Sequence, residues 1–223
     1  CLDIGIWHRR KIFSGGITVK AGIRRPTAWA IVFLMAISCV FFGFQTIVRA
    51  DSGTDGDFAW EDVEGGVAVT GYTGAGGVVD IPGTLAGKTV VTIGSGAFAD
   101  KTAVTGISMP DTVTSIEYGA FMGCTGLETV TLSNNLQTIA GDTFINCGAL
   151  DNVTIPNSVL QIDYGTFKNC ISLSDITLSN QLESLGESAF EGCTSLQSIT
   201  LPDSLGVQED NIGPHLFSGC TSL

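Results

Sequence analysis

The stretch GAFMGCTGLETVTL, residues 119–132, returns three times at intervals of 23 residues. The later copies are DTFINCGALDNVTI at 142–155, GTFKNCISLSDITL at 165–178 and SAFEGCTSLQSITL at 188–201. Each copy has a phenylalanine, a cysteine three residues later and a leucine three residues after that. Self-similarity at a fixed period of roughly 20 to 50 residues is the sequence signature of a stacked repeat. The repeat therefore decides the fold.

The repeat runs through six phenylalanines and keeps the same side chains at the same positions. Phe98 to Phe190 are spaced 23 residues apart, and Phe217 follows after 27. A cysteine recurs three residues after each phenylalanine except in the first copy, which has Lys101. A segment of 23 residues is too short to bury so many apolar side chains alone, so neighbouring copies must stack into a solenoid. The cysteine column consists of Cys124, Cys147, Cys170, Cys193 and Cys220.

Within each copy, a segment such as LETVTL alternates apolar and polar residues as a strand does. The alternation predicts that Val130 and Leu132 point inward and that Thr129 and Thr131 point outward. Stacked copies would place such strands in parallel, about 4.8 Å apart. The Gly-Ala-Phe segment is short enough for only one 3-10 or helical turn. The pattern thus predicts a solenoid of the α/β class that is mostly β.

These columns resemble the leucine-rich repeats of the BspA-type bacterial surface proteins, whose unit reads C-x-x-L-x-x-I-x-L-P-x-x-(L/V)-x-x-I-x-x-x-A-F-x-x. The resemblance covers residues 81–223 and implies a leucine-rich repeat solenoid. Residues 51–80 resemble the hairpin-like entry segment of that family. We expect them to form an N-terminal cap, because the first copy would otherwise expose an edge of Phe98. Since Leu223 begins a strand of the repeat, we expect further repeats to follow it in the parent protein.

The two parts of the chain differ in charge. Residues 1–50 carry a net charge of +6, whereas residues 51–223 carry −18, from three lysines and 21 acids. The basic part contains an uncharged run at 26–48 and small residues before Asp51, which predict a signal peptide cleaved there. The run is also long enough for an uncleaved signal anchor. We expect export, membrane contact only through this segment, and no nucleic-acid binding, because the acidic part repels phosphate.

Cysteines in an exported chain would first suggest disulfides. Five cysteines in one column of successive copies have parallel, same-facing Cβ vectors, which suit a disulfide poorly. We therefore predict free, buried thiols that donate weakly to backbone carbonyl groups, with disulfide pairing as the alternative.

The sequence after residue 50 offers little catalytic chemistry. Its one histidine, His215, excludes paired-histidine metal sites, and no phosphate-binding glycine motif or calcium loop is present. His215 lies five residues before Cys220, an arrangement that could activate a thiol nucleophile. Cys220 nevertheless belongs to the structural cysteine column. We predict a protein that is not an enzyme and has no catalytic, cofactor-binding or metal site.

The outward strand positions remain as the candidate ligand-binding surface. These positions can be compared between the copies. The more variable column, here the first outward column, is the better candidate for reading a ligand, because the stack requires no particular side chain there. The second outward column is nearly constant, and its hydroxyl side chains suit strands and can bond to one another. We predict that both columns line the concave face. The first outward column is Gly106, Thr129, Asn152, Asp175 and Ser198, and the second is Ser108, Thr131, Thr154, Thr177 and Thr200.

The resemblance implies adhesion to host matrix proteins or to other cells. The expected protein is secreted or held at the cell surface, and it binds extracellular proteins or cell-surface macromolecules. Two alternatives stay open. The chain could be a non-catalytic targeting or spacer region of a larger exported hydrolase, or a purely structural stalk.

Overall fold

A computed structural model describes residues 50–206 and 211–223. The uncharged run at 26–48, on which the signal-peptide prediction rests, lies outside the described residues. The described part contains no helix that is long and apolar enough to cross a membrane.

The described residues form short strands arranged in two sheets. The elements are β1 (Ser52–Asp55), β2 (Phe58–Val63), β3 (Gly66–Tyr72), β4 (Gly77–Asp80), β5 (Thr84–Leu85), β6 (Lys88–Ile93), β7 (Val104–Ser108), β8 (Ser115–Ile116), β9 (Thr129–Thr131), β10 (Thr138–Ile139), β11 (Asn152–Thr154), β12 (Gln161–Ile162), β13 (Asp175–Thr177), β14 (Ser184–Leu185) and the 3-10 turn η1 (Asp203–Leu205). Sheet A has nine strands in the order β1-β2-β3-β6-β8-β10-β12-β14, with β5 paired to β6 beside this path. Sheet B has five strands in the order β4-β7-β9-β11-β13.

Five successive coils each contribute one strand to sheet A and one to sheet B, so one repeat forms one coil of a parallel solenoid. In sheet A, Ile139 pairs with Ile116 on one side and Ile162 on the other. In sheet B, Val153 pairs with Ile176. Partners in these pairs are 23 residues apart, because one repeat is one coil. The predicted leucine-rich repeat solenoid with stacked parallel strands is confirmed.

The third side of each coil is a run of tight turns around the phenylalanine. In each coil, the second residue before the phenylalanine and the second residue after it have φ between 54° and 77°. Residues with a Cβ rarely adopt this region, which explains why glycine, asparagine and aspartate predominate there. The positions before it are Gly96, Gly119, Asp142, Gly165, Ser188 and His215, and those after it are Asp100, Gly123, Asn146, Asn169, Gly192 and Gly219.

The short turn predicted at the Gly-Ala-Phe segment takes the form of successive β-turns rather than a continuous 3-10 helix. The N–H of Met122 donates to the Gly119 carbonyl at 2.9 Å, and that of Cys124 donates to the Phe121 carbonyl at 3.2 Å. The left-handed residues interrupt any helix, because a right-handed helix requires negative φ throughout. In the described part of the chain, the 3-10 conformation is found in η1 and at Asn211, and neither lies in this segment.

A stack of aromatic rings runs through the core. Neighbouring phenylalanines from Phe98 to Phe217 have ring centroids 5.1–5.8 Å apart and interplanar angles of 2–23°. The rings from Phe98 to Phe190 are fully buried. Offset-stacked pairs at this distance stabilise a core beyond the burial of their area, by about 0.5–1.5 kcal/mol each. The stack therefore joins the coils along the length of the solenoid.

The cap continues this stack at its N-terminal end. Strands β1, β2 and β3 form antiparallel hairpins, and β3 joins the solenoid by pairing in parallel with β6. The ring of Tyr72 in β3 stacks 5.2 Å from Phe98, and Phe58 follows at 5.4 Å from Tyr72. The edge of Phe98 is thus covered by residues of the cap, as the sequence predicts.

The cysteines form a column of free thiols. Cys124, Cys147, Cys170 and Cys193 are buried and Cys220 is half-buried. Each Sγ donates to a phenylalanine carbonyl of the preceding coil, for example Cys147 to Phe121 at 3.2 Å. The same bond occurs at 3.0–3.2 Å in the other four coils. The thiols therefore act as small apolar side chains with one weak donor, as predicted.

Candidate functional site

The outward face of sheet B presents two columns of polar side chains. Strand register aligns the first outward column, with Gly106 opposite Thr129 and Asn152 opposite both Thr129 and Asp175. It aligns the second outward column in the same way, with Thr154 opposite Thr177. The side chains of both columns in β9, β11 and β13 are exposed, while the residues between them point into the core. These strands thus present side chains that the core does not need.

Two ends of the predicted face differ from the expectation. Gly106 is buried, because the side chains of Val78 and Thr129 close over it, and Ser108 is half-buried. Ser198 and Thr200 are exposed but lie outside any strand, although the copy containing them keeps the alternation. The copy at 188–201 therefore adds no strand to sheet B, although its alternation predicts one.

The fifth strand comes instead from the other end of the sheet. Strand β4 pairs with β7 and places Val78 opposite Gly106 and Asp80 opposite Ser108. Val78 is 74% exposed, more than any other large apolar residue in the described part of the chain. Sequence reasoning missed Val78 and Asp80 by starting the solenoid at residue 81. The signal was present, since Val-Asp-Ile-Pro at 79–82 matches Val-Thr-Ile-Pro at 153–156.

The face is acidic and carries hydroxyl and amide groups. Asp80 and Asp175 are exposed within its columns, and Glu128 and Asp151 are exposed just before β9 and β11. The lysines of the described residues lie elsewhere: Lys88 is in sheet A, and the other two, at 101 and 168, are outside the strands. A shallow depression of about 400 Å³ adjoins the face beyond β13, and Asp175, Asn180 and Thr200 contribute to its lining. Such a surface suits hydrogen-bonding partners and repels polyanions.

The described residues do not assemble a nucleophile. The Cys220 thiol donates to the Phe190 carbonyl at 3.1 Å, and burial raises the pKa of this thiol. His215 occupies a left-handed turn position with φ of 59°. A catalytic thiol requires the opposite shift, toward the thiolate. The pKa is raised further in the buried column, to about 11 for Cys124 and about 12 for Cys193, again because burial disfavours the charged form.

The described residues also contain no candidate metal site of three or more ligands. Residues 50–206 and 211–223 contain no group of three or more His, Cys, Asp or Glu side chains placed to hold a metal ion. The acids of sheet B therefore act as separate surface charges in this structure.

The repeat columns match a described family. The model of the BspA type leucine rich repeat region, in six copies, matches residues 91–223. The chain belongs to the BspA-type leucine-rich repeat family. The match begins within β6 and includes every BspA-type coil from Phe98 onward, while the cap and β4 precede it. No curated protein matches this BspA-type chain.

Solved structures of bacterial leucine-rich repeat proteins share the BspA-type fold seen here. A T. pallidum leucine-rich repeat protein is 28% identical, with 78% of this chain and 91% of that one covered and a TM-score of 0.60. A leucine-rich cell surface protein from Faecalibacterium prausnitzii is also 28% identical, with 78% and 54% covered and a TM-score of 0.66. The chain thus spans about half of that second protein. The pneumococcal vaccine antigen PcpA is 22% identical, with 76% of this chain and 47% of that one covered and a TM-score of 0.61. At this identity the similarity shows a shared fold alone.

Proposed function

We propose that this BspA-type chain is exported and binds extracellular proteins or other cell-surface macromolecules through the outward face of sheet B, as an adhesin does. The observation that carries the proposal is the face itself. Its side chains in β9, β11 and β13 are exposed, polar and aligned, while the packing of the coils rests on the residues between them. The similarity to a protein described as a leucine-rich cell surface protein supports the location.

The size and chemistry of the face support a modest polar interface. Five parallel strands spaced about 4.8 Å apart give a surface about 20 Å across. Threonine and asparagine side chains offer donors and acceptors, and Asp175 adds a charged acceptor that can bond to an arginine or lysine of a partner. Val78, at the edge beside Gly106, adds an apolar contact. Recognition would therefore combine shape with hydrogen bonds, without covalent chemistry.

Binding to an array of extracellular matrix proteins and bacterial surface glycans tests the proposal. The double variant Asn152→Ala, Asp175→Ala removes two neighbouring side chains of the first outward column. We expect the affinity for any ligand retained by the wild-type chain to fall by roughly tenfold or more, as for residues near the centre of an interface. Gln161→Ala is the matched control, because Gln161 is an exposed strand residue of sheet A. Equal losses in the variant and the control, or no loss in either, would exclude this face.

A further inference from the structure

A second surface lies at the junction between sheet A and the turn side of the coils. Tyr118 and Tyr164, here the tyrosine pair, are three residues before Phe121 and Phe167. The two residues are 46% and 53% exposed, respectively. Their ring centroids are 6.3 Å apart with an interplanar angle of 39°. The two tyrosines come from coils separated by one intervening coil, so they meet above that coil.

The intervening coil is shaped to receive the tyrosine pair. Tyr118 donates its hydroxyl to Asp142 Oδ2 at 2.9 Å. Tyr164 lies over Gly141, where a Cβ would approach its ring carbons to 2.7 Å. Glycine and aspartate at these two positions of the coil therefore place the rings side by side. Large aromatic rings held together at the surface present area that the core does not use, which is common at binding sites.

Two carboxylates lie beside the tyrosine pair. Asp142 accepts the hydroxyl bond of Tyr118. Glu187 lies next to Tyr164, and the two residues together line a shallow depression of about 290 Å³. The cation that also lines it, Lys168, is bonded to Glu191 at 2.8 Å. The surroundings of the rings thus carry excess negative charge.

Rings and carboxylates together favour a cationic ligand. A guanidinium or ammonium group is attracted to the face of a tyrosine ring and also bonds to carboxylates. The hydroxyl of Tyr118 donates to a carboxylate, which polarises the phenol and enriches the ring in electron density. Residues 51–223, with a net charge of −18, would in addition draw a basic partner toward this surface.

We infer that the tyrosine pair, with Asp142 and Glu187, is a docking surface for arginine or lysine side chains of a basic protein. This surface is separate from the face of sheet B and does not depend on the function proposed for that face. Two rings and two carboxylates can engage an exposed basic side chain without any rearrangement of the coils.

The three tyrosines of the chain allow a direct test by ¹⁹F NMR. The full chain is labelled with 3-fluorotyrosine, its resonances are assigned with single Tyr→Phe variants, and it is titrated with a six-arginine peptide at about 0.15 M salt. We expect saturable shifts of the Tyr118 and Tyr164 resonances. The Tyr72 resonance should stay in place, because this ring is buried in the cap.

Two variants distinguish the rings from general attraction by the acidic surface. Tyr118→Leu with Tyr164→Leu leaves the net charge unchanged and should weaken peptide binding by roughly two- to fivefold for each ring. Gly141→Ala should displace the Tyr164 ring and reduce its response. Glu64→Gln, which removes one charge at an exposed turn of the cap, is the control and should change the affinity by less than about twofold.

Three results would overturn the inference. The first is equal peptide affinity in the wild-type chain and the double leucine variant. The second is a titration in which the Tyr118 and Tyr164 resonances do not move. The third is a response of these resonances to the neutral sugar cellohexaose but not to the peptide, which would identify the surface as a glycan platform. The wild-type titration alone decides the second and third outcomes, even if the leucine variant does not fold.

Discussion

Replacement of Phe144 by alanine tests whether the aromatic stack holds the coils together. Phe144 is fully buried, and its ring lies 5.4 Å from both Phe121 and Phe167 at angles of 7° and 9°. Truncating a buried phenylalanine to alanine costs about 3–5 kcal/mol through lost burial and the cavity that remains. Two stacked pairs, at about 0.5–1.5 kcal/mol each, place this site toward the upper part of that range. We expect a loss of about 4–5 kcal/mol.

Urea unfolding followed by circular dichroism measures this loss from the shift of the midpoint. For a folded part of this size, the same change should lower Tm by roughly 8–20 °C. Thr125→Ala, at an exposed position of the turn side, is the control and should change the free energy of unfolding by less than about 0.5 kcal/mol. A loss below about 2 kcal/mol for Phe144→Ala would refute the view that the stack is a main source of cohesion between coils.

Three further predictions concern the turns, the thiols and the cap. Gly186→Ala should destabilise the protein by roughly 2 kcal/mol or more in the same urea assay, because its Cβ would meet the backbone of Tyr164. A thiol reagent at about pH 8 should label Cys220 before the buried cysteines of the column, and mass spectrometry of digested protein would show the order. The side-chain bond from Lys88 lowers the pKa of Asp62. The bond between Lys88 and Asp62 therefore stabilises the fold fully at pH values above the pKa that Asp62 has in the unfolded chain. This stabilisation is lost as the pH falls through the lower pKa that Asp62 has in the folded protein. The midpoints of the wild-type chain and of Asp62→Asn should converge in acid, and a constant difference across that range would contradict the assignment.

The repeat period made most of the solenoid predictable. Because Phe121, Cys124 and Leu127 have equivalents every 23 residues, only stacking can bury them, and the structure buries these three residues and their apolar equivalents as far as Leu196. The inward and outward sides of β9 also followed from its alternation. The 23-residue period arises from contacts that every coil makes with its neighbours. The sequence therefore predicts the packing between coils well.

Features that depend on a single copy were less predictable. The alternation at 198–200 indicates a strand, yet pairing also requires a neighbour in register, and the structure shows none for those residues. Gly106 has no side chain to present, and its burial follows from Val78 in a strand outside the regular period. The tyrosine pair was missed because Tyr118 and Tyr164 are 46 residues apart and only the stacking of three coils brings them together.

The pairing of each coil with the next has a mechanical consequence. Strands join coils 23 residues apart, and the thiol bonds connect each coil to the one before it. Under tension applied at the two ends, such a chain should give way one coil at a time. Each event would release 23 residues, or about 75–80 Å of extended chain. The molecule would then lengthen in regular steps and absorb work at each one, as a tether between two moving surfaces must.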